Sequence, residues 1–316
     1  MHIALLESLG ISPDALSAFT NQLEEQGHTF AVYEKTTDLQ KLREEVREAD
    51  VVILANMPLP WEALEGADRL KYIDVAFTGT DHVPVAQAAA HGIQVSNASG
   101  YAEDAVAELC LGFMIDLLRS IPQTDRTCRQ GGTRAGWPAR LLKGKTVGFV
   151  GAGRIAARTA DLVRAFGTRS IGFRRHPAAD PAFDRETDSL DELLREADIV
   201  SVHTPLTSST KHMIADRELA AMKPGSYLIN TARGPVVDAQ ALCRALNDGT
   251  LAGAAIDVFD QEPPLDPEDP LLQAPNLIVT PHIGFYTEES MDQRAKIVFD
   301  NLSQWLQGNW VNQVKP

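Results

Sequence analysis

Short apolar runs alternate with amphipathic helical patterns along nearly the whole chain, and few folds accommodate that rhythm. In the first hundred residues His2–Leu6, Thr29–Tyr33, Val51–Leu54, Tyr72–Ala76 and Gln94–Ser96 read as strands. Between them Pro13–Gln26, Leu39–Glu48 and Val83–His91 read as helices, with apolar residues recurring every three or four positions. A strand that is apolar on both faces leaves no side for water, so it belongs in a parallel sheet covered by helices above and below. A second series follows: Thr146–Val150, Ser170–Phe173, Ile199–His203, Tyr227–Asn230, Ala254–Val258 and Leu277–Thr280. Six strands in this rhythm suit a doubly wound sheet. The segment LREEVREADVVIL at 42–54 echoes LDELLREADIVSV at 190–202, each a charged helix leading into a buried strand. No fixed short period recurs, so the echo marks two copies of a common unit and not a solenoid. The expected fold class is α/β with two doubly wound parallel-sheet domains, and 316 residues suffice for both cores.

Between the two series lies a long helical pattern, Glu103–Leu118, and then IPQTDRTCRQGGTRAGWP, a polar stretch without strand character. It is expected to form a surface arm, since long excursions of this kind are usually functional or interfacial. Glu288–Gln307 is again helical and is expected to return the chain to the first domain. A net charge of −14 repels phosphate backbones, which argues against nucleic-acid binding. Three scattered cysteines without a CxxC pair argue against disulfides and against a metal site. The N-terminus lacks a basic, uninterrupted signal segment, and no apolar stretch nears the roughly 20 residues of a membrane helix. A cytoplasmic protein without a membrane partner is expected.

The run TVGFV is followed directly by GAGRIA and then by a helical pattern from Arg154. Gly151 permits a tight turn, Gly153 allows close approach of a pyrophosphate, and Ala156 sits where helix packs on strand. The first amides of that helix, from Arg154 and Ile155 onward, would face the anion. A dinucleotide is the expected cofactor. About 20 residues on, NAD binders usually carry an acidic residue for the ribose hydroxyls. Here Arg174 and Arg175 stand there instead. Two guanidinium groups suit a 2′-phosphate, so NADP(H) is the favoured cofactor. If the pair is only surface charge, NAD(H) is used.

Ligands of open α/β sheets sit beyond the carboxyl ends of the strands. YLIN runs into Thr231-Ala232-Arg233, AAIDVF into Asp260-Gln261-Glu262, and LIVT into Pro281-His282-Ile283-Gly284. Three successive strands thus deliver a cation, a carboxylate and an imidazole to one edge. Hydride transfer to a carbonyl leaves an oxygen in need of a proton, which a histidine can donate near neutral pH. A glutamate beside it stabilises the imidazolium, and an arginine holds a substrate carboxylate in bidentate fashion. Arg233, Glu262 and His282 are the expected catalytic set. Taken singly, Arg233 could hold a turn, Glu262 could be a solvated charge and His282 could be a buried structural histidine.

GKTVGFVGAGRIA, ADIVSVHTPLTSST, LINTARGPVVD, AAIDVFDQEP and TPHIG, in that order, resemble the D-isomer-specific 2-hydroxyacid dehydrogenase family. LKYIDVAFTGTDHV and VSNASGYAEDAVAEL are similar to its earlier segments, so the resemblance spans nearly the whole chain. The resemblance implies a flavodoxin-like substrate domain of 1–100 and 286–316 and a Rossmann dinucleotide-binding domain of 101–285. It also implies a homodimer formed through the cofactor domains and the arm near 120–140. By the same resemblance Arg233 binds a small anionic 2-oxoacid, Glu262 supports the histidine and His282 is the acid/base. Thr78 and Gly79 would offer backbone groups to the carboxylate. Val106 would line the nicotinamide and Asp257 would meet its carboxamide. His203, Thr204 and Pro205 would flank the adenosine, and Thr210, Thr231, Ala232 and Gly284 would complete the cofactor site. The arginine pair departs from the family's usual acidic residue. Phe285 and Tyr286, with Phe77 and Tyr101, could narrow a substrate pocket or pack a hinge. Glyoxylate and hydroxypyruvate are the substrates expected first. Other small anions of the lactate, phosphoglycerate or phosphite type with NAD, or cofactor sensing without turnover, are the alternatives.

Overall fold

In the computed structural model, which describes all 316 residues, each apolar run becomes a parallel strand. The chain divides into two compact units, Met1–Ala102 with Tyr286–Pro316, and Glu103–Phe285. The first unit contains β1 (His2–Leu5), β2 (Thr29–Val32), β3 (Val51–Leu54), β4 (Tyr72–Val75) and β5 (Gln94–Asn97). They pair in parallel in the order β2-β1-β3-β4-β5, the flavodoxin-like arrangement. β3 and β4 are buried at every residue, as runs of VVIL and YIDV demand. Helices α1 (Pro13–Glu25), α2 (Leu39–Val46), α3 (Trp61–Leu64) and α4 (Val85–Ala90) connect these strands.

The second unit opens with α5 (Glu103–Arg119) and α6 (Ile121–Arg129). Its strands are β6 (Thr146–Val150), β7 (Arg169–Phe173), β8 (Arg185–Thr187), β9 (Ile199–Val202), β10 (Ser226–Asn230), β11 (Leu251–Ile256) and β12 (Leu277–Val279). Helices α7 (Arg154–Arg164), α8 (Leu190–Glu196), α9 (Asp216–Ala221) and α10 (Ala239–Asn247) intervene. The order is β12-β11-β10-β9-β6-β7-β8, with every ladder parallel. Counted from β6, six of these strands have the 3-2-1-4-5-6 order of a Rossmann sheet. The strand order therefore reverses at β6, where β7 lies on one side and β9 on the other. The last helix, α11 (Glu288–Leu306), belongs to the first unit. Thr287 caps it, Phe299 stacks on Phe19 at 4.4 Å and Trp305 stacks on Tyr72 at 4.7 Å.

Two details correct the sequence reading. The second sheet has a seventh strand, β8, three polar residues at the sheet edge with only Thr187 buried, so no apolar pattern announces it. The stretch read only as a polar surface arm without strand character begins with a helix, α6. Pro122 lies in its first turn, where a missing N–H costs no hydrogen bond, and the helix buries none of its residues. No helix is long and apolar enough to cross a membrane.

Candidate active site

The loop after β10 is shaped by Asn230, which is 2% exposed. Its Nδ2 donates to the Arg233 carbonyl at 2.9 Å and its Oδ1 accepts from Ala232 N at 3.1 Å. The buried amide clasps the turn that presents Arg233, whose Nη1 donates to the Ala232 carbonyl at 2.8 Å. Next to it, a Cβ on Gly234 would lie 2.0 Å from the Phe259 carbonyl carbon. Only glycine lets this loop touch the one after β11, so the Arg233 and Glu262 segments are packed backbone to backbone.

Beyond β12 the chain turns sharply. His282 has φ +57, a left-handed conformation that a non-glycine residue adopts only where its surroundings impose it. Asp257 imposes it. Its Oδ1 accepts from Thr280 Oγ1 at 2.5 Å and Ile283 N at 2.8 Å, and its Oδ2 accepts from Gly284 N at 2.7 Å. These donors stand on both sides of His282. Burial raises the Asp257 carboxyl above the usual range, against the lowering effect of the same hydrogen bonds. The His282 ring so presented has Nδ1 2.9 Å from Glu262 Oε2 and meets Phe285 edge-on at 5.4 Å. An ionised carboxylate can only accept, so Nδ1 carries the donated proton and Nε2 is the nitrogen directed elsewhere.

At the reversal of strand order, Gly151 has φ +99, and a Cβ there would lie 2.7 Å from Thr204 Oγ1 and 2.8 Å from the His203 carbonyl oxygen. Space over Gly153 is open, and no side chain caps the amino end of α7. A cradle of backbone amides with room above it fits a pyrophosphate. Arg154 at the head of α7 pairs with Glu103 at 2.7 Å. Thr204 is buried, its hydroxyl donating to the Val150 carbonyl at 2.8 Å. Thr210 ties its own loop together by donating to the Pro205 carbonyl at 2.7 Å. His203 Nε2 lies 2.8 Å from Ser201 Oγ, and burial pushes its imidazole down to about 4, so it is neutral at physiological pH. Thr231 Oγ1 lies 3.2 Å from Cys110 Sγ. Val106 packs beside Gly284.

The arginine pair is split. Arg175 is exposed, whereas Arg174 turns back, donating to the Ala152 carbonyl and lying 2.8 Å from the buried Glu186. Arg233, Glu262, His282 and most of the expected cofactor positions thus fall at one edge of the second sheet. Thr78 and Gly79 follow β4 in the first unit, where Asn97 Nδ2 donates to the Thr78 carbonyl at 2.7 Å. Asn230 and Glu186 were not anticipated from sequence. Asn230 had a weak signal, a polar residue ending an apolar strand at the sheet's ligand edge.

A glycine-loop dinucleotide cradle and a paired histidine and glutamate on one doubly wound sheet define a nicotinamide-dependent oxidoreductase. Comparison with known proteins narrows this. Residues 111–284 match the family described as D-isomer specific 2-hydroxyacid dehydrogenase, NAD binding domain. The chain is 38% identical over 278 residues to the glyoxylate reductase of Thermofilum pendens, covering 85% of this chain and 82% of that one. It is 36% identical to the glycerate dehydrogenase of Methylorubrum extorquens, covering 91% and 92% of the two. Its fold matches the NADPH-dependent glyoxylate/hydroxypyruvate reductase of Sinorhizobium meliloti, solved with NADP and malonate, at a TM-score of 0.86 and 30% identity, over 99% of this chain and 96% of that one. The chain belongs to the D-isomer-specific 2-hydroxyacid dehydrogenase family, and its reaction class is hydride exchange between a nicotinamide dinucleotide and a 2-oxoacid/2-hydroxyacid pair.

Proposed function

We propose that the protein reduces a small 2-oxoacid of the glyoxylate or hydroxypyruvate class to its 2-hydroxyacid, the D isomer where the product is chiral, with NADP(H) as its preferred cofactor and NAD(H) as a weaker one. The observation that carries this reading is the 2.9 Å pairing of His282 Nδ1 with Glu262 on loops adjoining the Arg233 turn. The reduced nicotinamide, when bound, supplies the hydride to the carbonyl carbon. Arg233 pairs with the substrate carboxylate and polarises the carbonyl. His282 donates a proton from Nε2 to the carbonyl oxygen, so one hydride and one proton convert C=O to CH–OH. Glu262 holds the ring through Nδ1 and stabilises the imidazolium from which that proton leaves. Thr78 and Gly79 contribute backbone groups to the carboxylate.

Gly151, Gly153, Arg154 and Ile155 hold the pyrophosphate. Arg175, with Arg174 behind it, meets the adenosine ribose end, flanked by His203, Thr204, Pro205 and Thr210. Val106, Thr231, Ala232, Asp257 and Gly284 form the nicotinamide half. Asp257 serves chiefly as the anchor of the histidine loop, since its carboxylate already accepts three hydrogen bonds there. The protein acts in the cytoplasm as a homodimer joined through the cofactor domains and the 120–140 arm, in which Ile121 is exposed and after which Leu141 is exposed as well. Light scattering at micromolar concentration checks the dimer. Initial rates of NADPH and NADH oxidation with glyoxylate, hydroxypyruvate, pyruvate and a bulkier 2-oxoacid test the function. Turnover confined to NADH, or to the bulky acid, contradicts it.

A further inference from the structure

We propose that Glu186 is a positioning residue that sets how strongly the cofactor site prefers a 2′-phosphorylated dinucleotide. It holds Arg174 back against the glycine loop and leaves Arg175 to meet the phosphate alone. This rests on the reading of the site as NADP(H)-binding.

Glu186 lies in the short edge strand β8, opposite Gly172 of β7. Its side chain is only 4% exposed. Oε2 accepts from Ala178 N at 2.5 Å and Ala179 N at 2.7 Å, fixing the loop between β7 and β8. Oε1 lies 2.8 Å from Arg174 Nη2. The same Nη2 donates to the carbonyl of Ala152, the residue between the two loop glycines, and lies 3.6 Å from Asp180 Oδ2. Arg174 is 26% exposed at its side chain, and its Nε is buried. One buried carboxylate therefore pairs as an ion with the first arginine and anchors by hydrogen bonds the backbone beyond the second.

The charges explain the consequence. Arg174 is balanced by Glu186, with Asp180 near it, so its field at a nearby dianion is small. Drawing Arg174 outward would leave the Glu186 carboxylate buried without its counter-charge, which is strongly unfavourable. A 2′-phosphate therefore meets one exposed guanidinium instead of a bidentate pair. The acidic residue that would favour NAD is absent, but so is half of the cationic clamp. A moderate preference for NADP(H) follows.

The test is calorimetric titration of the full-length protein with NADPH and with NADH, without substrate, for wild type and the Glu186→Gln, Arg174→Met and Arg175→Met variants. Glutamine retains an acceptor for the loop amides and removes the charge. In Glu186→Gln the ratio of NADH to NADPH dissociation constants is expected to rise about tenfold, roughly one charge-assisted hydrogen bond, with NADH affinity held within about twofold. The double variant Glu186→Gln/Arg174→Met is expected to return to the wild-type ratio, because Glu186 acts through Arg174. Arg174→Met alone is expected to move the ratio less than about threefold, and Arg175→Met to lower it about tenfold or more. An unchanged ratio in Glu186→Gln overturns the proposal, as does equal weakening of both cofactors. If Glu186→Gln does not fold, a loss of preference in Arg174→Met as large as in Arg175→Met overturns it too. A wild type that prefers NADH refutes the NADP(H) reading while leaving the Glu186 effect measurable. A wild type that prefers NADPH with an inert Glu186 refutes only the positioning role.

Discussion

After β1, in the first sheet, Glu7 folds inward to accept from Met57 N at 2.7 Å, and Ser12 caps α1 by accepting from Ala15 N at 3.2 Å. After β6, in the second, Gly151-Ala152-Gly153 lead straight into α7, whose amino end no side chain caps and over which space is open. The two sheets share their parallel ladders and their helical connections. They differ in what satisfies the first helix. A serine oxygen completes α1 with the chain's own atoms. The bare end of α7 leaves its donors to an anionic ligand, which the orphan amides and the helix dipole both favour. The carboxyl edge of the second sheet is correspondingly the one that gathers Arg233, Glu262 and His282. Chemistry in a doubly wound fold thus follows from the turns beyond the strands, while the strands themselves only aim them.

Among changes outside the histidine itself, removing the cation of the second edge should have the largest effect on that contrast. Arg233→Met is expected to lower kcat/KM for glyoxylate by about 10²–10³-fold, with cofactor affinity nearly unchanged. Steady-state kinetics beside calorimetry checks both. Filling the open cradle is expected to act on the cofactor instead. Gly153→Val should weaken NADPH binding by more than about tenfold, since a branched side chain takes the space a pyrophosphate needs. Fluorescence titration reads this, and an unchanged melting temperature separates it from misfolding.

In the first unit a pH effect should appear without a catalytic one. Asp74 is fully buried and hydrogen-bonded to Asn301 Nδ2 at 3.0 Å, and burial raises its carboxyl to about 8. The folded state holds this proton where the unfolded chain, with a pKa of about 3.9, releases it. Stability from the neutral form is therefore complete below the unfolded value and declines as pH climbs toward 8. The melting temperature of Asp74→Asn minus that of wild type is expected to increase between about pH 5 and pH 8 and to level off above that. A flat difference would show that Asp74 does not titrate this way. The smallest effect belongs to the capped helix: Ser12→Ala should cost about 1 kcal/mol of stability by denaturant unfolding and leave cofactor binding unaltered.

The strands were legible because a parallel strand with helices on both faces must be apolar throughout, and VVIL or TVGFV has no other soluble use. The echo between 42–54 and 190–202 proved to be α2–β3 and α8–β9, each delivering a strand beside the first strand of its sheet. Arg233, Glu262 and His282 were legible as polar residues just past strand ends. β8 was hidden because a three-residue polar edge strand has no hydrophobic period, and α6 because a polar helix with a proline in its first turn resembles a loop. The fold back of Arg174 onto Glu186 depends on a ladder pairing that brings residues 12 apart in sequence to one point, which no local pattern records. The backbone of His282 was hidden for the same reason, since Asp257 holds it from 25 positions away in sequence.

Single-turnover reduction of glyoxylate by the NADPH-loaded enzyme, comparing wild type with His282→Gln, shows whether His282 supplies the proton. The variant is expected to lose about 10²–10⁴-fold in the rate of NADPH consumption, with the NADPH dissociation constant held within about threefold. A His282→Gln enzyme that turns over within about threefold of wild type would contradict that role, because the proton would then come from elsewhere and the Glu262–His282 pair would be structural.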